Sequence, residues 1–431
     1  MKTRNPIFRT ITLLILVGIL FSGCKGTATA TKDPGLAKTA AAQTVGVVPT
    51  STVAPSDTPA PPTATLLPTV TLTATATLAP PATATATLVP SPTAVVLGPS
   101  NFPSNVNPLT GLVVANPKLL DRRPIMIKVA NYPREDGRPH AGLSAADIVF
   151  DYYIGEGANR FLALYYGQDS EKVGSVRSGR LVDAQLVPMY QGILGFEYAW
   201  GPIYAKIINA LGKRAITGGP ATCPALCDDG RRTGDGQALV TGHFANTALL
   251  TEYATKRGID NTRQNLDGMS FNSNPPTNGK PASDVMIEMT SRDLGEWKYD
   301  QASGAFLAWI ESVDAKNDLT MIPLVDRNNN KQLAFNNIVI IFTTYTQMAP
   351  AYHEIDVAKS VAYKRAILFR DGQMIEGLWK SVGPDKPMQF FTTDRKPLAF
   401  KPGNSWIVLT GDNSGFKETS SANWHLTFGL P

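Results

Sequence analysis

Apolar and polar positions divide the chain into three stretches of different character. Residues 10–21, "TITLLILVGILF", are almost wholly apolar and follow Lys2, Arg4 and Arg9. Residues 25–100 carry little besides Thr, Ala, Pro, Ser, Val and Leu and show neither a helical nor a strand period. Periodic patterns begin only beyond them. "IMIKVAN" (125–131), "DIVFDYYI" (147–154) and "RFLALYY" (160–166) are rich in β-branched and aromatic residues and read as strands. The last two, joined by "GEGAN", predict a hairpin. "PIYAKIINALG" places Ile203, Ile207, Ile208 and Leu211 at helical spacing between Pro202 and Gly212, and "NTALLTEYATKRG" repeats the logic with Asn246 as N-cap and Gly258 after the C-cap. Past residue 285 the segments "DVMIEM", "EWKYDQASGAFLAWI", "NNIVIIFTTY", "AYKRAILF", "GQMIEGLWK" and "SWIVLTG" are short and strand-like, with a hairpin at "QASG" and no long helical pattern.

The fold class expected is therefore α+β: an N-terminal mixed α/β domain with a helix-covered sheet (101–262), a linker rich in Asn, Gly and Pro (263–282) and a mostly-β C-terminal domain (283–431). About 330 residues suffice for two such cores.

The aperiodic segment cannot bury enough apolar surface to offset its ordering entropy. It reads as a disordered stalk (24–100) that, fully extended at ~3.1 Å per residue, would reach at most on the order of 230 Å. The apolar run before it is too short to cross a bilayer, which takes about 20 residues. With its basic start and the small residues of "SGC", it has the layout of a secretory signal (1–23). Cys24 at the cut resembles the lipobox of bacterial lipoprotein signals, with Phe21 where leucine is usual, and so predicts lipidation of Cys24. The expected localisation is the extracytoplasmic face of the cell membrane, through a lipid anchor.

Charge changes one inference. The whole chain has 40 basic and 35 acidic residues, a net +5, but its first hundred residues hold six basic and two acidic ones. The remainder carries 34 against 33, too nearly neutral for the basic field that nucleic-acid binding requires. Cys223 and Cys227, in the loop-like "GGPATCPALCDDGRRTGDG", predict a disulfide in an oxidising compartment. Their C-x3-C spacing fits neither a zinc finger nor a C-x-x-C redox pair.

Candidate chemistry concentrates in "EGANRFLALYYGQDSEKVGSVRSGRLVDAQL" (156–186). Arg177 and Arg180 precede a helical pattern that starts with "RLVDAQL". Planar guanidiniums beside free N–H groups at a helix start suit a carboxylate or phosphate. Glu156 and Arg160 flank the hairpin turn and are expected near the two arginines, Glu156 bracing Arg160. The bland alternative has Glu156 and Asp183 neutralising the arginines within a turn. The weak catalytic candidates are His243, Glu156 and Asp183. In "HEID", strand alternation would separate His353, Glu354 and Asp356, so neither a metal nor another cofactor is expected. Trp297, Trp309, Trp379, Trp406 and Trp424 read as core and cross-strand partners rather than a sugar platform.

The stretches "NPLTG" at 107, "RRPIMIKVAN" at 122, "GLSAADIVFD" at 142, "EGANRFLALYYGQDSEKVGSVRSGR" at 156 and "DRKPLAFKPGNSWIVL" at 394 together resemble the YerB-like family of bacterial lipoproteins (domain of unknown function 3048, with N- and C-terminal domains). The resemblance spans nearly the whole head. Trp200, Gly201 and Pro202 in "YAWGPIYAKI" and the Cys223 loop depart from it. It implies an envelope address and a two-domain fold but no activity. The function expected is a non-enzymatic binding or scaffolding module of the cell envelope with an anion site; the alternative is an envelope hydrolase or transferase acting on acidic or phosphorylated glycans. The partners expected are the membrane, through the lipid anchor, and a cell-wall polymer or envelope protein, with no nucleic acid.

Overall fold

A computed structural model describes residues 96–349 and 352–431. The signal, Cys24 and all but the last five residues of the expected stalk lie outside the described residues. Those last five belong to the folded head: Val96 and Leu97 pair antiparallel with Asn272 and Phe271.

The principal strands are β1 (Ile125–Ala130), β2 (Ile148–Gly155), β3 (Ala158–Tyr165), β4 (Ile193–Phe196), β5 (Ala215–Thr217), β6 (Asp284–Thr290), β7 (Asp293–Asp300), β8 (Ala305–Val313), β9 (Leu319–Pro323), β10 (Asn337–Ala349), β11 (Tyr352–Asp356), β12 (Lys364–Arg370), β13 (Gln373–Lys380), β14 (Gln389–Thr392), β15 (Ser405–Gly411), β16 (Gly415–Ser420) and β17 (Asn423–Thr427). Three helices of seven residues or more accompany them, besides a single α-helical turn at Arg134–Gly137: α1 (Asp183–Met189), α2 (Gly201–Leu211) and α3 (Thr247–Lys256). The fold is α+β, with a helix-covered sheet in the first half and a mostly-β second half.

The largest sheet runs β13-β12-β10-β15-β2-β3-β1-β4-β5, with the short strand Lys280–Pro281 outside β13, β11 paired to β10 and β14 paired to β13. It draws strands from both halves. β15, close to the C-terminus, lies parallel to both β10 and β2 and joins the two halves edge to edge, with Ser405 opposite Asn337 on one side and Ile148 on the other. Its residues are all buried, as are those of β1 and β2; such strands read as continuous apolar runs because both faces are covered. A second sheet, β9-β8-β7-β6-β17-β16, is built entirely from the second half. Trp406 on β15 meets Phe161 of β3 and Trp297 of β7, with centroids 4.9 and 5.0 Å apart, so the two sheets share one aromatic core.

Trp297, Trp379, Trp406 and Trp424 are buried, consistent with the core reading. The "QASG" hairpin forms between β7 and β8. α2 buries Ile203, Ile207 and Leu211, and Asn246 caps α3 by accepting the Leu249 N–H at 3.0 Å. The Asn/Gly/Pro-rich stretch is tied down along its length rather than hanging free. Asn261 accepts from Arg123 N at 2.9 Å, residues 270–272 form a strand between residues 96–97 and 399–400, and Lys280 pairs with Met374. Its composition reports turns, and here the turns carry a strap across the sheet. Among the described residues no helix is long and apolar enough to cross a membrane.

Candidate anion-binding site

β1 pairs with β4 only over residues 125–127. Beyond Ile127 the loop at 175–177 takes over that edge: Ala130 N donates to Ser175 O at 2.8 Å and Arg177 N to Lys128 O at 2.9 Å. On its other side the loop is held by the extension of β4, with Glu197 N donating to Arg177 O at 3.1 Å and Gly179 N to Tyr198 O at 2.7 Å. The backbone bearing Arg177 and Arg180 is thus pinned from both sides. Gly179 makes this possible, since a Cβ there would stand 2.6 Å from Ile207 Cδ1 of α2.

The β2–β3 hairpin delivers the rest. Glu156 and Gly157 turn the chain with φ of 52° and 75°, and Gly157 N donates to Tyr153 Oη at 3.1 Å. Arg160 sits on β3 opposite Tyr152. Together Arg160, Arg177 and Arg180 line an open cleft of about 300 Å³ with Tyr132, Pro133, Asn159 and the turn at 154–158. The four residues expected to meet, Glu156, Arg160, Arg177 and Arg180, do so here.

The partners of these guanidiniums matter most. Arg160 Nη1 donates to Ser178 O at 2.6 Å and Arg180 Nη1 to Gly179 O at 3.0 Å, both main-chain carbonyls. Neither hydrogen bond neutralises a charge. Arg177 reaches Val240 O at 3.3 Å and lies 3.8 Å from Glu197 Oε2. Buried Nε atoms of Arg177 and Arg180 have no hydrogen-bond partner among the described residues. Burial, followed by the two neighbouring guanidiniums, brings the Arg160 pKa down to about 9, and burial lowers that of Arg180 as well. An arriving anion would relieve this crowding of like charge.

Three expectations are corrected. Glu156 does not brace Arg160; it is exposed at the turn while Arg160 bonds to Ser178 O. The helix start offers no free donors. α1 has only seven residues, and the N–H groups of Asp183, Ala184 and Gln185 already donate to the carbonyls of Arg180, Leu181 and Val182 at 3.0, 3.1 and 2.9 Å. Asp183 does not face the cleft. It is fully buried, accepts the Arg180 N–H at 2.6 Å, takes the Tyr152 hydroxyl, and lies 3.5 Å from Lys128 Nζ. Lys128 also meets the Tyr152 oxygen. Burial drives its pKa down to about 7 against the opposing pull of Asp183. This buried group holds the loop from beneath.

His243 is placed at one remove. Its Nδ1 is 3.3 Å from Glu197 Oε1, so it connects to the cleft through Glu197 and Arg177 without lining it. Burial raises the Glu197 pKa, while His243 and Arg177 oppose the rise. Glu197, Lys128 and Tyr152 escaped the sequence reading. A signal for Lys128 was present: a lone lysine in the otherwise apolar "IMIKVA" must find a partner once both faces of the strand are covered. Elsewhere, Cys223 and Cys227 are joined by a disulfide.

Family models for the N-terminal and C-terminal domains of a protein of unknown function (DUF3048) match residues 109–259 and 285–407. The chain is 26% identical over 312 residues to "Putative lipoprotein YerB" of Bacillus subtilis, covering 71% of this chain and 86% of that protein. The crystal structure of the YerB protein from Bacillus subtilis superposes with a TM-score of 0.55 at 26% identity, over 71% of this chain and 96% of that one. With both domains matched in order across the head, the chain belongs to the DUF3048 family.

Proposed function

We propose that this protein is a lipid-anchored, extracytoplasmic binding module of the cell envelope, and that the cleft of Arg160, Arg177 and Arg180 holds an anionic group of an envelope polymer. The observation that carries the reading is that the guanidinium hydrogen bonds of Arg160 and Arg180 end on main-chain carbonyls and no carboxylate pairs with either guanidinium at the open cleft, with Asp183 acting on them only from the buried side. Guanidiniums already pinned pay little to reorganise around a carboxylate or phosphate. The address rests on Cys24 behind a short apolar run and on likeness to a relative named as a lipoprotein. The N-terminal lipid would supply membrane affinity, and residues 25–95 would act as the stalk.

The test for the cleft is equilibrium binding of a soluble polyanion to the exported chain at two ionic strengths. Binding that weakens with salt and disappears in Arg177→Ala/Arg180→Ala supports the reading, and binding indifferent to those changes overturns it. The test for the anchor is the N-terminal mass of the membrane-extracted protein beside its Cys24→Ala variant. Absence of lipid on the unsubstituted chain would remove that part of the proposal.

One observation favours the rival, an envelope hydrolase or transferase: Glu197 ties His243 to Arg177. A base that acts on a bound ligand must reach it within hydrogen-bond range. His243 does not line the cleft, so the binding reading is preferred.

A further inference from the structure

The two aromatic side chains left exposed among the described residues, Tyr198 and Trp200, belong to the segment whose backbone pins the arginine loop, without lining the cleft themselves. Tyr198 is 58% and Trp200 62% exposed, whereas Trp297, Trp379, Trp406 and Trp424 are each 5% exposed or less. Tyr198 O accepts the N–H of Gly179, the residue just before Arg180 and two beyond Arg177, so the ring's backbone is locked to the arginine loop. Both rings are propped by other rings. Tyr198 stacks on Tyr204 of α2 with centroids 5.5 Å apart and planes at 26°. Trp200 meets Tyr352 of β11 edge to face at 5.6 Å and 80°. These contacts orient the rings without covering them. A large ring left mostly in water forgoes favourable burial, and here two do so within three residues of chain.

Resting on the anion-cleft reading, we propose that Tyr198 and Trp200 form a saccharide subsite and that the ligand is an acidic glycan, its sugar ring stacked on the aromatic faces and its carboxylate or phosphate held by Arg160, Arg177 and Arg180. A pyranose offers an apolar C–H face that matches a flat ring, and an anionic substituent on the same or the next residue supplies the charge that the guanidiniums lack. Such a glycan satisfies both surfaces at once. A bare polyphosphate or acidic peptide satisfies the arginines and leaves the rings exposed. Single-stranded nucleic acid also combines stacking with phosphate contacts, but it calls for an extended basic groove, and the chain beyond residue 100 is nearly neutral, with 34 basic and 33 acidic residues.

The experiment measures binding of four probes of matched length to the intact exported chain: a hexameric oligogalacturonate, a hyaluronan hexasaccharide, inorganic polyphosphate and an oligo-dT. Each is tried on the unsubstituted protein, Tyr198→Ser/Trp200→Ser and Arg177→Ala/Arg180→Ala, with thermal unfolding as the check on folding. At least one acidic saccharide should bind, lose about tenfold in affinity in the aromatic variant and lose measurable binding in the arginine variant; polyphosphate should bind the aromatic variant as well as the unsubstituted chain. Saccharide binding unchanged by the aromatic substitutions overturns the subsite. So does polyphosphate binding with neither saccharide binding, while the anion cleft then stands. Oligo-dT depending on the two rings as strongly as the saccharides do would reassign the subsite to nucleic acid. If none of the four binds, the cleft fails and the subsite with it.

Discussion

Two arginine clusters lie back to back around Tyr132, and they are put to opposite uses. On one side Arg134 and Arg138 flank the Tyr132 ring, and all three side chains converge on Glu311 Oε1 of β8 at 3.0, 2.8 and 2.8 Å, while Leu294 N donates to Oε2 at 3.2 Å. Glu311 is fully buried. On the other side, Tyr132 borders the cleft where Arg160 and Arg180 find only carbonyls. The first cluster is a clasp, tying a loop of the first half to the second sheet through a carboxylate supplied about 175 residues later. The second has its charge left over. Arginine content alone would not tell them apart; the difference lies in whether a distant strand brings a carboxylate.

The comparison is broken most severely at the clasp. Glu311→Ala should remove the buried carboxylate that two guanidiniums and a tyrosine hydroxyl share, costing about 3–5 kcal/mol in chemical unfolding. The equivalent loss at the cleft, Arg177→Ala/Arg180→Ala, should reverse the pattern. Unfolding free energy should move by no more than about 1 kcal/mol, because Glu197 keeps His243 and Asp183 keeps Lys128 and the Tyr152 hydroxyl, while polyanion binding should fall about a hundredfold, or ~2.8 kcal/mol. Equal destabilisation by both sets of substitutions would show that the cleft is a second clasp.

Lys128 sharpens the comparison through pH. Its ammonium has a pKa of about 7 in the folded chain against 10.5 when solvated. Between those values the unfolded chain carries a proton that the folded chain lacks, so this residue makes stability rise with pH from about 7 towards 10, by up to ~1.4 kcal/mol per unit. Unfolding curves for Lys128→Met should lack that rise; a parallel profile for the two proteins would show that the lysine stays charged beneath the cleft. The smallest effect belongs to the disulfide between Cys223 and Cys227, only four positions apart. Its reduction should cost under about 2 kcal/mol, since so short a loop restricts the unfolded chain little, and should leave polyanion binding unchanged.

Local pattern accounts for what was legible. The hairpin of β2 and β3 and the helices α2 and α3 follow from alternation, helical spacing and caps, all written within a dozen residues. The meeting of Glu156 and Arg160 with Arg177 and Arg180 was legible too, because a tight turn and the excursion after its second strand return to neighbouring strand edges. What stayed hidden depends on distant pairing. Nothing in "SWIVLTG" says that it will lie between residues 337–343 and 148–152. The burial of Asp183 depends on Lys128, 55 residues earlier in the chain. Nor does the sequence of "FEYAW" tell that Tyr198 and Trp200 stay outside while the aromatic residues of "FDYY" (150–153) go to the core.

The position of β15 also sets an order of events. The central seam of the large sheet is closed by residues 405–411, threaded parallel between strands that precede it by roughly 60 and 250 residues. Contacts so distant in sequence are slow to form. Until that segment has been synthesised, β2 and β10 each present an unpaired edge. The two halves are therefore joined into one sheet only when residues 405–411 are in place: a chain interrupted shortly before residue 405 would hold most strands of both halves and still lack the one that joins them.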